Sequence, residues 1–258
     1  MKTRFRCLTG VNNIMKNILF IIPTINEAST IAELCIEVLN TDPSWHILVI
    51  DDGSSDDTDN IIRKLALSQK GRLSIIERGK RLGIGSAHKV GLSNAITKGF
   101  NFAITMDADG SHEVSYASDL VNACNKADIS IGSRYLSKKS LDEWSTNRKI
   151  LTYGVHFLTK FSLSLNYDNS SGYRAYKISS MAKLNLDSIK SNNYDFFFES
   201  LLFFKHSGMD IRQVPINLPK RTYGHSKLTA SLAFSALYTL FKLIVRYRII
   251  PFMQSKKK

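Results

Sequence analysis

Cysteine is scarce in this sequence. Among 258 residues there are only three cysteines, Cys7, Cys35 and Cys124. Their number is odd, and their wide spacing fits neither a metal site nor a disulfide framework. This usage is typical of a protein from a reducing compartment.

Long hydrophobic runs are also lacking. The apolar run Ile18 to Ile22 is too short for the core of a signal peptide and ends at Pro23, so we expect it to form a buried strand. The longest uncharged run near the other end, Leu228 to Phe241, falls short of the about 20 apolar residues that a membrane-spanning helix needs. We therefore expect neither a signal peptide nor a transmembrane helix. Met15 is an alternative start that would make the residues before it dispensable.

Familiar catalytic signatures are missing as well. No order of Ser, His and Asp, or of Cys and His, supports a nucleophilic triad. His88, His112 and His225 lack the spacing of metal ligands, although His112 has two carboxylates as neighbours. The basic loop from Arg78 to Gly85 is neither a G-x-G-x-x-G nor a P-loop, so it is only a weak indication of phosphate contact at a helix start.

The sequence does carry a large excess of positive charge. Its formal net charge is +13 and its pI is about 9.6. Such a balance implies a polyanionic partner, which is nucleic acid, an acidic membrane surface or a phosphorylated substrate. With 43% hydrophobic and 22% charged residues, the chain has the composition of a globular protein.

Short apolar runs alternate with amphipathic stretches over the first half of the chain. This alternation predicts an α/β fold with an open, mostly parallel sheet flanked by helices. Ser29 and Asp56 or Asp57 are the expected helix N-caps. The predicted strands are Ile18 to Ile22, His46 to Ile50, Leu73 to Ile76, Phe102 to Met106 and Ile129 to Ile131. The predicted helices are Ser29 to Asn40, Asp57 to Ser68, Gly85 to Lys98 and Ala117 to Lys126, followed later by helices at Asn147 to Leu165 and Tyr194 to His206 and a strand at Ile211 to Leu218.

Carboxylates follow two of these strands, at the ends where parallel α/β sheets bind ligands. Asp107 and Asp109 lie on the same side of an extended segment, and a divalent cation relieves the repulsion between such a pair. Mg²⁺ or Mn²⁺, completed by waters and a substrate phosphate, is the natural occupant, while a solvated turn is the alternative. Asp51 and Asp52 would bind a base or ribose, or else cap the following helix.

Five basic residues lie beside turns or helix starts rather than in runs. If they converge, they form a site for two or more phosphates, because arginine binds oxyanions in a bidentate manner. As isolated surface cations they would carry no function. These residues are Arg134, Arg148, Arg174, Arg221 and Lys227.

Taken in order, six motifs resemble those of family 2 inverting glycosyltransferases of the GT-A fold, in particular the polyprenol-phosphate (dolichol-phosphate) mannosyltransferases. The similarity runs from about Ile21 to Lys227. The motifs are IIPTINE, VIDDGSSDDT, MDADGSHE, IGSRY, DNSSGYRAYK and VPINLPKRTYGHSK.

The resemblance assigns roles to three sets of residues. It implies a nucleotide site formed by Pro23, Glu27, Asp51, Asp52, Asp107 and Ala108. It implies metal contact by Asp109 and Ser111, and phosphate binding by Arg134, Arg148, Arg221 and Lys227. The catalytic set would be Asp107, Asp109 and Arg221.

The implied function is transfer of a sugar from a nucleotide-sugar donor, with mannose from GDP-mannose expected first, to a polyprenyl phosphate with the aid of Mg²⁺ or Mn²⁺. A close alternative uses UDP-glucose or UDP-N-acetylglucosamine with undecaprenyl phosphate. A non-catalytic module that binds anionic membrane or nucleic acid is a distant alternative, and no nucleic-acid partner is expected.

The lipid acceptor implies a peripheral enzyme on the cytoplasmic face of a membrane. The expected organisation is a GT-A domain over residues 1–227 and an amphipathic, basic, membrane-interfacial tail over residues 228–258. The helix Asn147 to Leu165 has the same interfacial character. A separate membrane subunit is a further candidate partner.

Overall fold

The computed structural model describes residues 17–137, 140–141, 144, 146–218 and 230–249. Strands and helices alternate through these residues. The strands are β1 Ile18–Thr24, β2 Trp45–Asp51, β3 Leu73–Glu77, β4 Phe102–Thr105, β5 Ile129–Ser133, β6 Arg174–Lys177 and β7 Ile211–Pro215. The α-helices are α1 Ile31–Thr41, α2 Thr58–Ser68, α3 Ile84–Thr97, α4 Ala117–Ala123, α5 Thr146–Leu163, α6 Ile178–Met181, α7 Phe196–His206 and α8 Ala230–Ile244. A π-helical turn, Val245–Ile249, continues α8.

The strands form one sheet in the order β3-β2-β1-β4-β6-β5-β7. Strands β1 to β4 pair in parallel, as do β5 and β7. Strand β6 runs antiparallel between β4 and β5, with Arg174 opposite both Thr105 and Ile131. The carboxyl ends of β4 and β5 and the amino end of β6 therefore lie at the same edge of the sheet.

The predicted α/β fold with a mostly parallel sheet is confirmed. All five predicted strands of the first half correspond to β1 to β5, and the predicted helices between them correspond to α1 to α4. Asp57 is the N-cap of α2, as expected. The expected cap at Ser29 is wrong, because α1 begins one residue later and its N-cap is Thr30.

Strand β6 is a strand that the sequence pattern did not predict. It has only four residues and is bounded by Arg174 and Lys177, so it lacks the apolar run by which the other strands are recognised. Nevertheless Arg174, Ala175 and Tyr176 are fully buried. Tertiary pairing on both sides determines this strand, rather than its own composition.

Two hydrophobic clusters cover the two faces of the sheet. Along β1, Phe20 and Ile22 belong to the cluster that contains α1 and α4 side chains, while Leu19 and Ile21 belong to the cluster with α3 and α7. Helix α3 approaches the sheet at Gly91, where an added Cβ would lie 2.3 Å from Cγ2 of Ile21. The layers leave no room for a side chain there.

Two helices expose apolar side chains to solvent. On α5, Ile150, Tyr153, Phe157 and Phe161 are 66%, 51%, 70% and 75% exposed. On α8, Leu240 and Leu243 are buried, but Leu237, Tyr238 and Phe241 are exposed. None of the helices in the described residues combines the length and the hydrophobicity that crossing a membrane would require. The predicted domain boundary at residue 227 lies outside the described residues.

Candidate active site

The loops after β1 and β2 are joined by hydrogen bonds at the carboxyl edge of the sheet. Asn26, at a positive φ of 53°, donates its backbone N–H to Ser54 Oγ and accepts a hydrogen bond from the N–H of Ser55 on its own Oδ1. The N–H of Glu27 donates to Thr58 Oγ1 at 3.0 Å. These bonds fix Glu27, a predicted nucleotide residue, relative to the second loop.

Asp51 and Asp52 are both buried, and each organises a different loop. The carboxylate of Asp51 accepts hydrogen bonds from the N–H groups of Gly53 and Ser54 at 3.0 and 2.9 Å. Neither carboxylate caps α2, whose N-cap is Asp57, so the alternative prediction of an N-cap cluster is wrong. Binding of a base or ribose by this pair stays a prediction.

The carboxylate of Asp52 holds the basic loop that follows β3. It accepts hydrogen bonds from the N–H groups of Leu82 and Gly83 at 3.0 and 2.8 Å, and it forms a buried ion pair with Arg78. The N–H of Ser86 donates to the carbonyl of Asn192 at 3.2 Å. Because these groups bond within the chain, they argue against the predicted phosphate contact at the start of α3.

The segment Asp107 to Asp109 leaves β4 at the centre of this edge. Asp107 is half-buried, whereas Ala108 and Asp109 are buried. Thr30 Oγ1 donates to the carbonyl of Ala108 at 2.9 Å, which ties the segment to the start of α1. The N–H of Ser111 donates to Asp109 Oδ1 at 3.0 Å. The carboxylate of Asp109 and the backbone of Ala108 are therefore held by hydrogen bonds.

His112 positions the backbone of Asp107. Its Nδ1 accepts a hydrogen bond from the N–H of Asp107 at 2.9 Å, and its ring stacks on Tyr173 with a centroid distance of 4.8 Å. Burial lowers the pKa of His112, although Asp107 and Asp109 act in the opposite direction. The ring is therefore neutral at pH 7, with Nδ1 as an acceptor and the proton on Nε2.

The chain before β6 completes this edge of the site. Thr105 Oγ1 donates to the carbonyl of Gly172 at 2.7 Å. A Cβ at Gly172 would lie 3.3 Å from Asp107 Oδ1, so the backbone approaches that carboxylate closely. Sequence reasoning did not place Gly172 or Tyr173 in the site, although the motif DNSSGYRAYK was the signal that contained them.

Of the predicted phosphate ligands, Arg134 follows β5 and lies beside the same loop. Its Nε donates to Asp168 Oδ2 at 2.8 Å, and its backbone N–H donates to the same oxygen at 3.2 Å. Burial opposes the charge of Arg134, but Asp168, Tyr135 and Asp107 together outweigh burial and raise the pKa of the guanidinium. Arg134 is therefore a fixed cation at the carboxyl edge, and Asp107 contributes to its electrostatic environment.

The other arginines do not all join Arg134. Arg174 is fully buried, and its guanidinium donates to the carbonyls of Ser171 and Phe197 and to Ser200 Oγ. It is a structural residue, so its suggested part in a phosphate site is wrong. Arg148 lies in the first turn of α5. Arg221 and Lys227 lie outside the described residues.

The residues of the Asp107 to Ser111 segment fit a divalent metal by their chemistry. They offer carboxylate and hydroxyl oxygens, which are the ligands that Mg²⁺ and Mn²⁺ prefer. The part of the chain that is described contains no group of three or more His, Cys, Asp or Glu side chains arranged for a metal. A metal held here by two carboxylates would need substrate phosphate and water to complete its coordination, as expected for Mg²⁺.

The comparison with known families identifies the protein. The family described as "Glycosyl transferase family 2" matches residues 19–184. The chain belongs to glycosyl transferase family 2. The match runs from β1 through β6 and includes the Asp107 to Ser111 segment and Arg134.

Two curated relatives cover most of the chain. A polyprenol monophosphomannose synthase from Mycolicibacterium smegmatis is 32% identical over 90% of this chain and 88% of its own length. An undecaprenyl-phosphate mannosyltransferase from Micrococcus luteus is 30% identical over 85% of this chain and 90% of its own. The family and these relatives identify the protein as a glycosyltransferase, which decides against a non-catalytic binding module.

A solved structure confirms the GT-A fold. Glucosyl-3-phosphoglycerate synthase from Mycobacterium tuberculosis, in complex with Mn²⁺, UDP-glucose and phosphoglyceric acid, aligns with a TM-score of 0.66. The alignment covers 90% of this chain and 81% of the other, at 16% identity. At that identity the likeness concerns the fold alone.

Proposed function

We propose that this family 2 glycosyltransferase transfers mannose from GDP-mannose to a polyprenyl phosphate in a metal-dependent reaction. The two mannosyltransferase relatives support this choice of sugar and acceptor. The observation that carries the proposal is the position of Asp107 and Asp109 at the carboxyl end of the central strand β4, with the half-buried Arg134 at the carboxyl end of β5, on the other side of β6. Carboxylates for a metal and a fixed cation are the groups that a diphosphate leaving group requires.

The acceptor explains why a general base is dispensable. A phosphate monoester is already an anion at pH 7, because its second pKa is about 6. One of its oxygens attacks the anomeric carbon of the sugar as the bond from that carbon to the diphosphate oxygen breaks. Attack opposite the leaving group inverts the configuration, and both electrons of the broken bond go to the nucleoside diphosphate.

The protein's contribution is to stabilise that leaving group. When bound, Mg²⁺ or Mn²⁺ neutralises charge on the diphosphate. Asp109 and Ser111 would hold the metal, and Asp107 would contact the nucleotide. Arg134 stabilises phosphate oxygens with a guanidinium that Asp168 has already oriented. Arg148, Arg221 and Lys227 complete the proposed phosphate set.

The nucleoside occupies the adjoining part of the carboxyl edge. Pro23 and Glu27 leave β1 there, and Asp51 and Asp52 end β2 beside them. Hydrogen bonds between the first two loops hold this part in place before a ligand arrives. Preorganisation of this kind favours binding of a rigid base and ribose.

Membrane contact follows from the lipid acceptor. Helix α5 exposes Phe157 and Phe161, and α8 exposes Phe241. Exposed aromatic side chains of this kind are typical of helices that lie in a membrane interface. Lys242 lies 4.3 Å from the ring centroid of Tyr238 on the same helix, which places a cation beside the apolar surface. We infer peripheral attachment through α5 and the tail.

The test is an assay of the full chain with Mg²⁺ or Mn²⁺, a polyprenyl phosphate and labelled GDP-mannose, UDP-glucose or UDP-N-acetylglucosamine. We expect lipid-extractable label from GDP-mannose, and loss of that label on chelation of the metal. Label from only the UDP-sugars would overturn the assignment of mannose. Absence of lipid-linked label with every donor would overturn the transferase proposal.

A further inference from the structure

Helix α5 contacts the residue that directly follows Arg134. The ring of Tyr135 stacks on His156 of α5, with a centroid distance of 4.0 Å and an interplanar angle of 27°. The Tyr135 hydroxyl donates to the carbonyl of Thr152, one turn earlier in the same helix, at 3.3 Å. The ring and the hydroxyl of Tyr135 are therefore both fixed on α5, and with them the backbone that carries Arg134.

The loop after α5 holds Arg134 from a second direction. Asp168 accepts hydrogen bonds from Nε and from the backbone N–H of Arg134 at 2.8 and 3.2 Å. The next residue, Asn169, donates from its side chain to Thr159 Oγ1 of α5 at 2.8 Å. The N–H of Asp168 donates to Gln213 Oε1 on β7 at 2.9 Å. Two routes of contact thus lead from α5 to Arg134, one through the stacked rings and one through Asp168.

His156 supplies no charge of its own at neutral pH. Burial lowers the pKa of His156, and Lys160 and Arg134 add to this effect although Asp168 opposes it. The ring is therefore neutral at pH 7, because the ordinary pKa of histidine is already below 7. A neutral ring supports the chain beside Arg134 without repelling its guanidinium.

We propose that Tyr135 and His156 are positioning residues for the Arg134 guanidinium in sugar transfer. Their stacked rings hold the chain after β5 against α5, so that the guanidinium stays paired with Asp168 and presents its other N–H groups to phosphate oxygens. The planar fork of an arginine binds an oxyanion only in a defined geometry, and a small displacement weakens it. The inference rests on the proposed function, which assigns Arg134 to phosphate binding.

The first test observes the arginine Nε–H groups of the full chain by proton–nitrogen NMR. Arg134→Lys identifies the resonance of Arg134 by its disappearance. In wild type we expect slow exchange of this proton with water, because Nε–H donates to Asp168. His156→Leu should accelerate the exchange by about tenfold or more, whereas His156→Phe, which retains a stacked ring, should stay within about threefold of wild type.

The second test measures kcat/KM for transfer from GDP-mannose to a polyprenyl phosphate with Mn²⁺. His156→Leu should lower kcat/KM by about 10- to 100-fold, as expected for a displaced binding group, and His156→Phe should stay within about threefold of wild type. In an Arg134→Lys background, His156→Leu should cost only about threefold or less, because a residue that acts through another is not additive with it. If Arg134→Lys has no measurable turnover, the comparison of His156→Leu with His156→Phe decides.

His46→Leu is the matched control. His46 is also half-buried against an aromatic ring, that of Phe100 at a centroid distance of 5.4 Å, but this pair lies at the amino edge of the sheet. The control should retain wild-type exchange and turnover. Thermal unfolding of every variant shows whether the fold is kept. Tyr135→Leu removes the other ring of the stack and takes the place of His156→Leu if that variant does not fold.

Three results would overturn the positioning role. They are an unchanged Arg134 resonance in His156→Leu, equal losses of kcat/KM in His156→Leu and His156→Phe, and an undiminished loss in the Arg134→Lys background. The second would mean that a ring nitrogen rather than stacking matters, and the third that His156 acts independently of Arg134. A changed resonance in a protein whose wild type transfers no sugar from any donor would instead overturn the proposed function and leave the positioning of the guanidinium standing.

Discussion

The backbone N–H of Asp107 donates to Nδ1 of His112 across 2.9 Å, so a neutral imidazole holds the first carboxylate of the central pair in place. The ring is itself held by stacking on Tyr173. Tyr173 in turn donates its hydroxyl proton to the carbonyl of Glu113 at 2.9 Å. His112 thus links the segment that follows β4 to the segment that precedes β6.

Substitution of His112 by two different amides tests this positioning role. Asn presents an acceptor near the place of Nδ1, whereas Gln presents one near the place of Nε2. We expect His112→Asn to retain most of kcat and His112→Gln to lose about 10- to 100-fold, as for other residues that orient ligands of a metal. Steady-state kinetics with varied metal provides the measurement. Equal losses in the two variants would contradict a role for Nδ1.

Substitution of Asp109 tests direct participation of the carboxylate in the reaction. We expect Asp109→Asn to lower kcat/KM by roughly 100- to 1000-fold, since charge stabilisation of the leaving group is lost. Its thermal unfolding should stay close to that of wild type. Asp119→Asn, the same change on the exposed side of α4, is the control and should retain activity. Wild-type turnover in Asp109→Asn would remove this residue from the mechanism.

The exposed stripe on α5 predicts a specific dependence of membrane binding on Phe161, which is 75% exposed. Insertion of a Phe side chain into an apolar phase contributes about 1.5 to 3 kcal/mol. We therefore expect Phe161→Glu to weaken binding to vesicles of mixed anionic and zwitterionic lipid by about tenfold or more in co-sedimentation. Leu67→Glu, on α2 with 89% exposure, is the control for the added charge and lost apolar surface. Equal weakening by both changes would argue against insertion of α5.

His88 predicts a loss of stability at acid pH. Burial, with smaller contributions from Arg174 and then His112, lowers the pKa of His88 from 6.5 to about 3. Because the folded-state pKa lies below the unfolded one, the unfolded chain binds more protons between about pH 6.5 and 3, and stability falls as pH falls through that range. The slope from this group approaches about 1.4 kcal/mol per pH unit.

Replacing the group isolates its contribution. His88→Leu should flatten the dependence of unfolding free energy on pH below 6.5, as measured by urea denaturation at several pH values. Acid sensitivity contributed by other groups, His112 among them, persists in the variant. An unchanged slope would show that His88 gains its proton without unfolding.

Local apolar patterns were sufficient to predict most of the fold. Strands β1, β2, β4 and β5 are almost entirely buried, and β3 at the sheet edge is partly buried; all five are short apolar runs that alternate with amphipathic helices, so period and length identify them. Strand β6 was not predicted, because its burial depends on pairing with β4 and β5. The four residues of β6 do not carry a strand pattern by themselves, so this strand can be recognised only in the assembled sheet.

The candidate site divides in a similar way. The aspartates after β2 and β4 were recognisable because they directly follow apolar strands. The partners of the charged groups could not be predicted from the sequence. The ion pairs Arg134–Asp168 and Arg78–Asp52 form only when segments that are distant in the sequence come together in the fold. For the same reason the sequence did not show that Arg174 is fully buried in the core, whereas Arg134 pairs with Asp168 at the carboxyl edge of the sheet.

Strand β6 runs opposite to its neighbours β4 and β5. In the described part of the chain, 168–173 is therefore the segment that enters the sheet at the carboxyl edge, where the other strands end. Its far end is anchored by strand pairing, and its near end continues from α5, which carries the exposed aromatic stripe. A single stretch of chain therefore connects the exposed aromatic stripe of α5 with the backbone that lies against Asp107. On the proposed function, exchange of 146–173 between relatives would alter membrane contact and the surroundings of Asp107 together, while leaving the sequence of the Asp107 to Asp109 segment unchanged.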